Sequence, residues 1–360
     1  MKLLTTTLII TLASAATLPL ISTNSTTIIN GFQISNLIND DGDELLLFED
    51  LTKDNVFANS SLKSDSTLSI RQSSTSPISQ TTYNHLVRQS KLANIAYCSG
   101  PPSLIAPFTC SYQCKEFPNM NLVSTWGEDP LSPSVSVAGY LSVDHTEKTI
   151  VVGFRGSQTF KNWIVNFMVL RNPVENSYQG CEGCTVHQGF YNAYKDTKKE
   201  YDTELIKLVE ENPGYIVNVV GHSLGGSVAL LAATDFKNRG YKTSLTTFGQ
   251  PVTGNTAFAN YIDNLWLTND TKNTTRSYYR VTHKGDVVPR VPFWHGYSPT
   301  AGEVYIGAAE LNPPVSSLLD CEGQENEQCI QGNSLLSLVN LTAHNLYFVY
   351  LGGECEVTSL

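Results

Sequence analysis

The sequence lacks the charge and hydrophobicity expected of two large classes of protein. Acidic residues outnumber basic ones, 33 to 23, giving a net charge of −10. This balance argues against nucleic acid or an anionic membrane surface as the main partner. Beyond the N-terminus no stretch offers about 18 uninterrupted apolar residues, so we expect no transmembrane helix. No internal repeat is visible. The 41% of apolar residues is enough for a sizeable core in one large domain or two ordinary ones.

The N-terminus has the pattern of a secretory signal peptide. Lys2 precedes the apolar run Leu3–Leu12, and residues 13–15 supply a small-residue cleavage site. We therefore expect a signal peptide over residues 1–15 and a secreted, extracellular protein. The eight cysteines would be oxidised in that compartment. Five N-x-[ST] sequons fit the same route as glycosylation candidates: Asn24, Asn59, Asn269, Asn273 and Asn340.

Residues 16–80 differ in composition from the rest of the chain. They are rich in Ser, Thr and Asn and contain no cysteine, and the stretch 60–82 is almost free of large hydrophobic residues, which favours disorder. We interpret residues 16–80 as a propeptide or a flexible extension. The folded domain is expected over residues 81–360.

Within that domain, predicted strands alternate with predicted helices. An amphipathic helix is predicted to end at Cys98, and two helical patterns run from His187 to Lys198 and from Glu200 to Glu211. Strands are predicted over residues 140–143, 149–154, 244–248 and 277–281. The continuous apolar run TIVVGF at 149–154 predicts a buried central strand. This alternation predicts an α/β fold with a mostly parallel sheet.

One segment of the chain predicts nucleophilic catalysis. Residues 215–235 read YIVNVV, then GHSLGG, then SVALLAATD, which is the strand, turn and helix of a G-x-S-x-G nucleophile elbow. Gly221 and Gly225 lack the Cβ atoms that would clash in so sharp a turn. Ser223 at its apex is the candidate nucleophile of a serine hydrolase.

A serine nucleophile needs a base, and the base needs an orienting carboxylate. In this fold class both come after the serine along the chain. Asp286 is favoured as the acid because it comes directly after a predicted strand, and His344 as the base because it precedes an apolar segment able to dock on the core. The alternatives that remain open are Asp235, Asp263 and Asp270 for the acid, and His283 and His295 for the base.

The oxyanion of a tetrahedral intermediate also needs hydrogen-bond donors. The N–H of Leu224, directly after the nucleophile, is one candidate. Ser157, which closes VVGFRGS, offers a second N–H and a hydroxyl. The structural alternative for Ser157 is a helix cap.

From Tyr83 to Cys355 the sequence resembles the secreted class 3 lipases of fungi, of the Rhizomucor and Thermomyces type. The motifs that carry the resemblance stand in the family's order: VVGFRGSQTFKNWIVNF, CEGCTVHQGF, VVGHSLGGSVALLAA, TTFGQPVTGN, YRVTHKGDVVPRVPF, GEVYIG and AHNLYF. The resemblance implies the α/β-hydrolase fold, Ser223, Asp286 and His344 as the triad, and Ser157 and Leu224 as the oxyanion hole. It implies a structural role for His295 beside the pocket.

The family's helical lid would lie over residues 159–170. This segment is strongly apolar, and a short helix of that composition must bury its apolar face or present it to lipid. An ordinary core helix is the alternative. The side chains expected to contact lid or acyl chain are Phe160, Trp163, Ile164 and Phe167.

The resemblance also implies a disulfide pairing. The implied pairs are Cys98–Cys355, Cys110–Cys114, Cys181–Cys184 and Cys321–Cys329. A zinc or redox role for Cys181-x-x-Cys184 is the alternative, disfavoured by the secreted context and by the lack of a second C-x-x-C.

These observations predict a secreted triacylglycerol lipase that forms an acyl-enzyme and is activated at an oil–water interface. The predicted mechanism requires no metal and no organic cofactor. Two rivals remain: a non-lipolytic esterase of the same fold, such as one acting on feruloyl esters, and a catalytically silent secreted binding protein. A more polar lid would favour the first rival.

Overall fold

A computed structural model provides the fold. It describes residues 74–99, 103–110, 113–127, 137–156, 178, 180–267, 276–292, 296–333 and 342–352 with their side chains, and residues 22–29, 32–38, 44–50, 173–175 and 338–340 as strand backbone. Several predicted features lie outside the described residues: Ser157, His295, Cys355, Asp270, the segment 159–170, and the sequons Asn59, Asn269 and Asn273.

Four α-helices are described. They are α1 (Gln80–Ile95), α2 (Gln188–Glu211), α3 (Leu224–Asn238) and α4 (Thr256–Leu267). Ser79 caps α1 by accepting a hydrogen bond from the Thr82 N–H at 3.0 Å. The two helical patterns predicted between residues 187 and 211 form one continuous helix, α2, which His187 caps through Nδ1.

Nine described strands form one central sheet. In chain order they are β4 (Thr75–Pro77), β5 (Met120–Trp126), β6 (Gly139–Asp144), β7 (Thr149–Phe154), β10 (Ile216–His222), β11 (Thr243–Phe248), β13 (Tyr278–His283), β15 (Glu303–Ile306) and β16 (Leu318–Cys321). Their order across the sheet is β4-β16-β15-β13-β11-β10-β7-β6-β5. The five central strands, β7, β10, β11, β13 and β15, are parallel, and the outer pairs are antiparallel. This is the sheet of the expected α/β-hydrolase fold.

The remaining described strands form two smaller sheets. One contains β1 (Ser22–Ile29), β2 (Phe32–Ile38), β3 (Glu44–Asp50) and β17 (Leu338–Asn340), in that order. The other has the order β14 (Tyr297–Ser298), β12 (Gly254–Asn255), β9 (Thr185–His187), β8 (Pro173–Glu175). The sequence predicted no strand between residues 22 and 50, and the edge strand β4 precedes the predicted domain boundary at residue 81.

Both faces of the central sheet are buried. In β10, Val217 and Val219 pack into the hydrophobic cluster that contains α2, α3 and α4, whereas Val220 packs on the opposite face with α1. The apolar run that predicted β7 obeys the same rule, with Val151 and Val152 on opposite faces. Because the five central strands are parallel, the residues that follow them meet at one edge of the sheet, beyond the carboxyl ends of the strands.

The structure contains three of the implied disulfides, Cys110–Cys114, Cys181–Cys184 and Cys321–Cys329. The fourth implied pair includes Cys355, which lies outside the described residues. Among the helices in the described ranges, none is long and apolar enough to cross a membrane.

Candidate active site

Ser223 lies between β10 and α3, at the carboxyl edge of the sheet. Its φ of 57° and ψ of −130° place a non-glycine residue in a sparsely populated region, which is the strain of a nucleophile elbow. The Ser223 N–H donates to the Phe248 carbonyl at 2.9 Å, which holds the turn against β11. The Ser223 hydroxyl is buried and has no hydrogen-bond partner within the described residues.

The two glycines of the elbow are required by close approaches. A Cβ on Gly221 would lie 2.3 Å from the Gly225 carbonyl oxygen, and a Cβ on Gly225 would lie 2.5 Å from the Phe154 carbonyl oxygen. Neither distance is compatible with a side chain. The prediction that the turn depends on these glycines agrees with this geometry.

Asp286 comes after β13, two strands from the elbow strand. Its Oδ1 accepts from the Val288 N–H at 2.9 Å, and its Oδ2 accepts from His344 Nδ1 at 2.9 Å and from the Tyr347 hydroxyl at 2.8 Å. Burial alone would raise the pKa of Asp286, but the charge of His344 and these hydrogen bonds hold the pKa below its ordinary value. The carboxyl group is therefore ionised at neutral pH.

His344 lies in a single helical turn, Ala343–Asn345, and is 1% exposed. Because its Nδ1 donates to a carboxylate, the ring carries a proton on Nδ1, and in the neutral tautomer Nε2 is the acceptor nitrogen. Gly249, with a φ of +56°, lies against the ring, and a Cβ there would be 2.8 Å from His344 Cε1. The carboxylate and the end of β11 together fix the orientation of the imidazole.

The alternative acids and bases have other surroundings. Asp235 forms ion pairs with Lys198 and Arg239, and Asp263 accepts from Gln324 and from the Ala301 N–H. His283 is fully buried, its ring nitrogens have no hydrogen-bond partner within the described part of the chain, and burial lowers its pKa. Among the described candidates, only Asp286 and His344 are joined by a side-chain hydrogen bond.

The oxyanion candidates lie around the start of α3. Leu224 is the first residue of that helix, so its N–H belongs to the group of N-terminal N–H donors that have no acceptor inside the helix. The positive end of the helix dipole also favours a developing negative charge there. Ser157 is outside the described residues, and Gly156 directly before it lies beside Ser223.

Sequence reasoning missed Tyr347, Gly249, Tyr97 and His222. Tyr347 lies in the AHNLYF motif and Gly249 in TTFGQPVTGN, so both stretches were singled out without a role for these residues. Tyr97 and His222 contact each other although 125 positions separate them. Only the fold reveals that contact.

Comparisons with known proteins identify the family of the chain. The family model described as Lipase (class 3) matches residues 151–296. A secreted mono- and diacylglycerol lipase 2 of Gibberella zeae is 37% identical over 279 residues, which are 69% of this chain and 68% of the relative. The crystal structure of Lip2 lipase from Yarrowia lipolytica is 39% identical, with a TM-score of 0.72, over 79% of this chain and 99% of that chain. The chain belongs to the class 3 lipase family.

As a class 3 lipase, the protein is a carboxylic ester hydrolase, and the predicted family, fold and enzyme class are confirmed. A further similar structure is that of a triacylglycerol lipase whose catalytic centre is described as a serine protease triad. It is 27% identical with a TM-score of 0.61, and it covers 79% of this chain and 100% of that chain.

Proposed function

We propose that this lipase is a secreted enzyme that hydrolyses long-chain acylglycerols, triacylglycerol included, with Ser223 as nucleophile, His344 as base and Asp286 as acid. The observation that carries the assignment is the buried His344 Nδ1–Asp286 Oδ2 hydrogen bond of 2.9 Å at the sheet edge that carries the strained Ser223. The similar structures include a triacylglycerol lipase with a serine protease triad. Curated relatives are named secreted mono- and diacylglycerol lipases.

The reaction depends on the position of each proton. His344 Nε2 takes the proton of the Ser223 hydroxyl while the serine oxygen attacks the ester carbonyl. The imidazolium that forms is stabilised by the ionised Asp286, whose lowered pKa keeps it a carboxylate. His344 then gives its proton to the departing alcohol, leaving an acyl-enzyme. Water, deprotonated by His344, releases the fatty acid and restores Ser223.

The oxyanion is proposed to accept hydrogen bonds from the Leu224 N–H and from Ser157. Support for Leu224 comes from its place at the N-terminus of α3, next to the nucleophile. Support for Ser157 comes from Gly156, whose Cβ position would lie 2.9 Å from Ser223 Cβ. Gly156, the residue directly before Ser157, therefore lies beside the proposed nucleophile.

Residues 159–170 are proposed to form an apolar lid that opens at an oil–water interface. The support is the composition of the segment, which includes Phe160, Trp163, Ile164 and Phe167, and its place directly after the oxyanion candidate. A lid of this composition favours aggregated lipid over soluble esters.

The domain organisation is proposed as a signal peptide over residues 1–15, an extension over residues 16–80 and the lipase domain over residues 81–360. The composition of each segment supports these bounds, and relatives named as secreted support the signal peptide. Strand β4 (residues 75–77) extends the sheet slightly beyond the N-terminal bound of the domain.

Hydrolysis rates across the solubility limit of a triacylglycerol test this proposal. We expect a steep rise in rate when tributyrin, and then triolein, passes from monomer to emulsion. Because relatives are named mono- and diacylglycerol lipases, the same assays on mono- and diacylglycerols rank the three substrate classes by rate. A rate that saturates on monomeric ester, with no rise on emulsion, would favour a non-lipolytic esterase. A folded protein whose Ser223 fails to react with a phosphonate ester would be a silent binding protein.

A further inference from the structure

A second buried histidine lies beside the proposed base. His222 is the last residue of β10 and is 2% exposed. Its ring lies 4.6 Å from the ring of His344, centroid to centroid, with the planes inclined by 32°. His222 takes no part in the proton transfers proposed for the triad.

Hydrogen bonds fix the proton of His222 on one nitrogen. Its Nε2 lies 2.9 Å from the main-chain carbonyl oxygen of His344, and a carbonyl oxygen only accepts, so Nε2 donates. Nδ1 is therefore the acceptor, and the hydroxyl of Tyr97, 2.6 Å away, donates to it. His222 thus joins the main chain of the base to a tyrosine from the turn Ala96–Cys98.

Tyr97 continues this chain of hydrogen bonds to a third segment. Its hydroxyl oxygen accepts from the Gly156 N–H at 3.1 Å. Gly156 has no room for a side chain, because a Cβ would lie 2.4 Å from the Tyr97 hydroxyl oxygen. The chain Gly156–Tyr97–His222–His344 therefore links the residue before the proposed oxyanion serine to the proposed base.

The surroundings of His222 keep it uncharged. Burial, and next the charge of His344, lower the pKa of His222 to about 3, although the His344 carbonyl and Asp286 act in the opposite sense. The rings of Tyr97, His344 and Tyr347 face it. A neutral ring is what this place requires, since a second cation 4.6 Å from the His344 imidazolium would oppose its formation.

We propose that Tyr97 and His222 are positioning residues of the lipase reaction, which hold the main chain of His344 and of Gly156 at a fixed separation across Ser223. The inference rests on the proposed roles of Ser223 and His344. The two residues act through these neighbours and do not take part in proton transfer. Their removal should lower the rate of acylation and leave substrate binding intact.

Tyr97→Phe is the central test, because it keeps the ring and removes both hydrogen bonds of the hydroxyl. We expect kcat on a soluble p-nitrophenyl ester to fall about tenfold with KM unchanged. A fall of this size corresponds to the loss of one or two buried hydrogen bonds. Tyr140→Phe is the matched control, because the buried Tyr140 donates one hydrogen bond, to the Leu92 carbonyl at 3.0 Å, outside the active site. We expect similar losses of thermal stability in both variants, with kcat retained in Tyr140→Phe.

His222 offers a rescue experiment. In His222→Gln an amide N–H can still donate to the His344 carbonyl, whereas His222→Leu has no donor. We expect His222→Gln to keep more of kcat than His222→Leu at equal KM, with both compared as folded protein by circular dichroism. Should either histidine variant fail to fold, Tyr97→Phe alone decides.

Phosphonate labelling of the wild-type protein distinguishes failure of the proposed function from failure of the positioning role. Absence of label on Ser223 in folded wild-type protein overturns the proposed function itself. Normal labelling of the wild type, together with a kcat of Tyr97→Phe equal to that of Tyr140→Phe, leaves the proposed function standing and overturns the positioning role. A fall in stability without a fall in kcat has the same meaning.

Discussion

Two buried carboxylates, Glu303 and Asp286, lie close to strand β13 and have similar partners but different chemical capacities. Glu303 is 0% exposed and Asp286 is 1% exposed. Glu303 accepts from Arg280 Nη2 at 3.0 Å and from the Thr282 hydroxyl and the Ile330 N–H. Each carboxylate therefore receives a cationic or ionisable nitrogen, a hydroxyl and a main-chain N–H.

The difference lies in the nitrogen partner and in the position along the strand. Arg280 pairs with Glu303 in register inside the sheet, and a guanidinium does not give up its proton in a protein. Asp286 lies beyond the end of its strand, and its partner His344 carries an imidazole, whose two ring nitrogens can accept and donate a proton. Burial and charge pairing alone therefore do not distinguish the proposed catalytic carboxylate from a structural one. The position at the sheet edge and the imidazole partner distinguish it.

Removing the proposed base should have the largest effect. We expect His344→Ala to lower kcat by about 10⁶-fold, as for the base of other serine hydrolase triads. His295→Ala, at the alternative base, should retain activity. Steady-state kinetics on tributyrin emulsion measure both. The reverse pattern, with His295 essential and His344 dispensable, would move the base to His295.

Neutralising each carboxylate in turn tests the comparison directly. Asp286→Asn should lower kcat by about 10⁴-fold, because an amide no longer holds the required tautomer and charge. Glu303→Gln should leave kcat per folded molecule unchanged but lower the free energy of unfolding by about 3 kcal/mol, since Arg280 is left buried without a charged partner.

Urea denaturation and active-site titration separate the two outcomes. Equal kinetic losses in Asp286→Asn and Glu303→Gln would mean that both carboxylates contribute to catalysis, which contradicts a purely structural role for Glu303.

Displacing the imidazole should cost less than removing it. In Gly249→Ala the new Cβ would lie 2.8 Å from His344 Cε1, so the ring must shift, and a misplacement of about 1 Å lowers kcat by about 10²-fold. Gly323→Ala is the control, because Gly323 also has a positive φ, +84°, but nothing lies within 4 Å of its added Cβ. Both variants share the backbone strain, so the contacts of the new Cβ with His344 and with the Tyr347 hydroxyl, 3.0 Å away, separate their kcat values.

The pH dependence of stability should show the smallest effect. Asp286 has a folded pKa below its ordinary value, which in the unfolded chain is about 3.9. Its contribution is therefore present above that value and is lost as pH falls through the lowered folded pKa. We expect the difference in unfolding free energy between wild type and Asp286→Asn to shrink below about pH 4. Urea titrations at successive pH values measure it, and a gap that widens on acidification would contradict the lowered pKa.

The sequence predicted the centre of the sheet because buried parallel strands are continuous apolar runs. The run TIVVGF matches β7 residue for residue, and the elbow segment matches β10 and α3. The edge strand β4 was missed because it consists of Thr75, Ser76 and Pro77, which carry no apolar pattern. Strands β1 to β3 were missed because residues 16–80 as a whole were interpreted as a propeptide or a flexible extension, although β3 itself has the apolar centre of ELLLFED.

Within the active site, residues with a sequence motif or a strand end were predictable, and residues placed only by tertiary contacts were not. Asp286 could be favoured over Asp235 because it comes directly after a strand. Tyr97 lies in none of the motifs, and Tyr347, although it lies in AHNLYF, follows no predicted strand. A tyrosine among apolar residues is typical of the core, so neither could be assigned a role. Their hydroxyl partners, His222 and Asp286, lie 125 and 61 positions away.

The contacts that assemble the active site also constrain when it forms during folding. His222 meets Tyr97 across 125 positions and the His344 carbonyl across 122 positions, whereas each central strand pair closes a shorter loop. Contacts of such sequence separation form late, because the chain entropy of the intervening segments must be lost first. Esterase activity should therefore return after the far-ultraviolet circular dichroism signal during refolding, which makes turnover a reporter of the last step of folding.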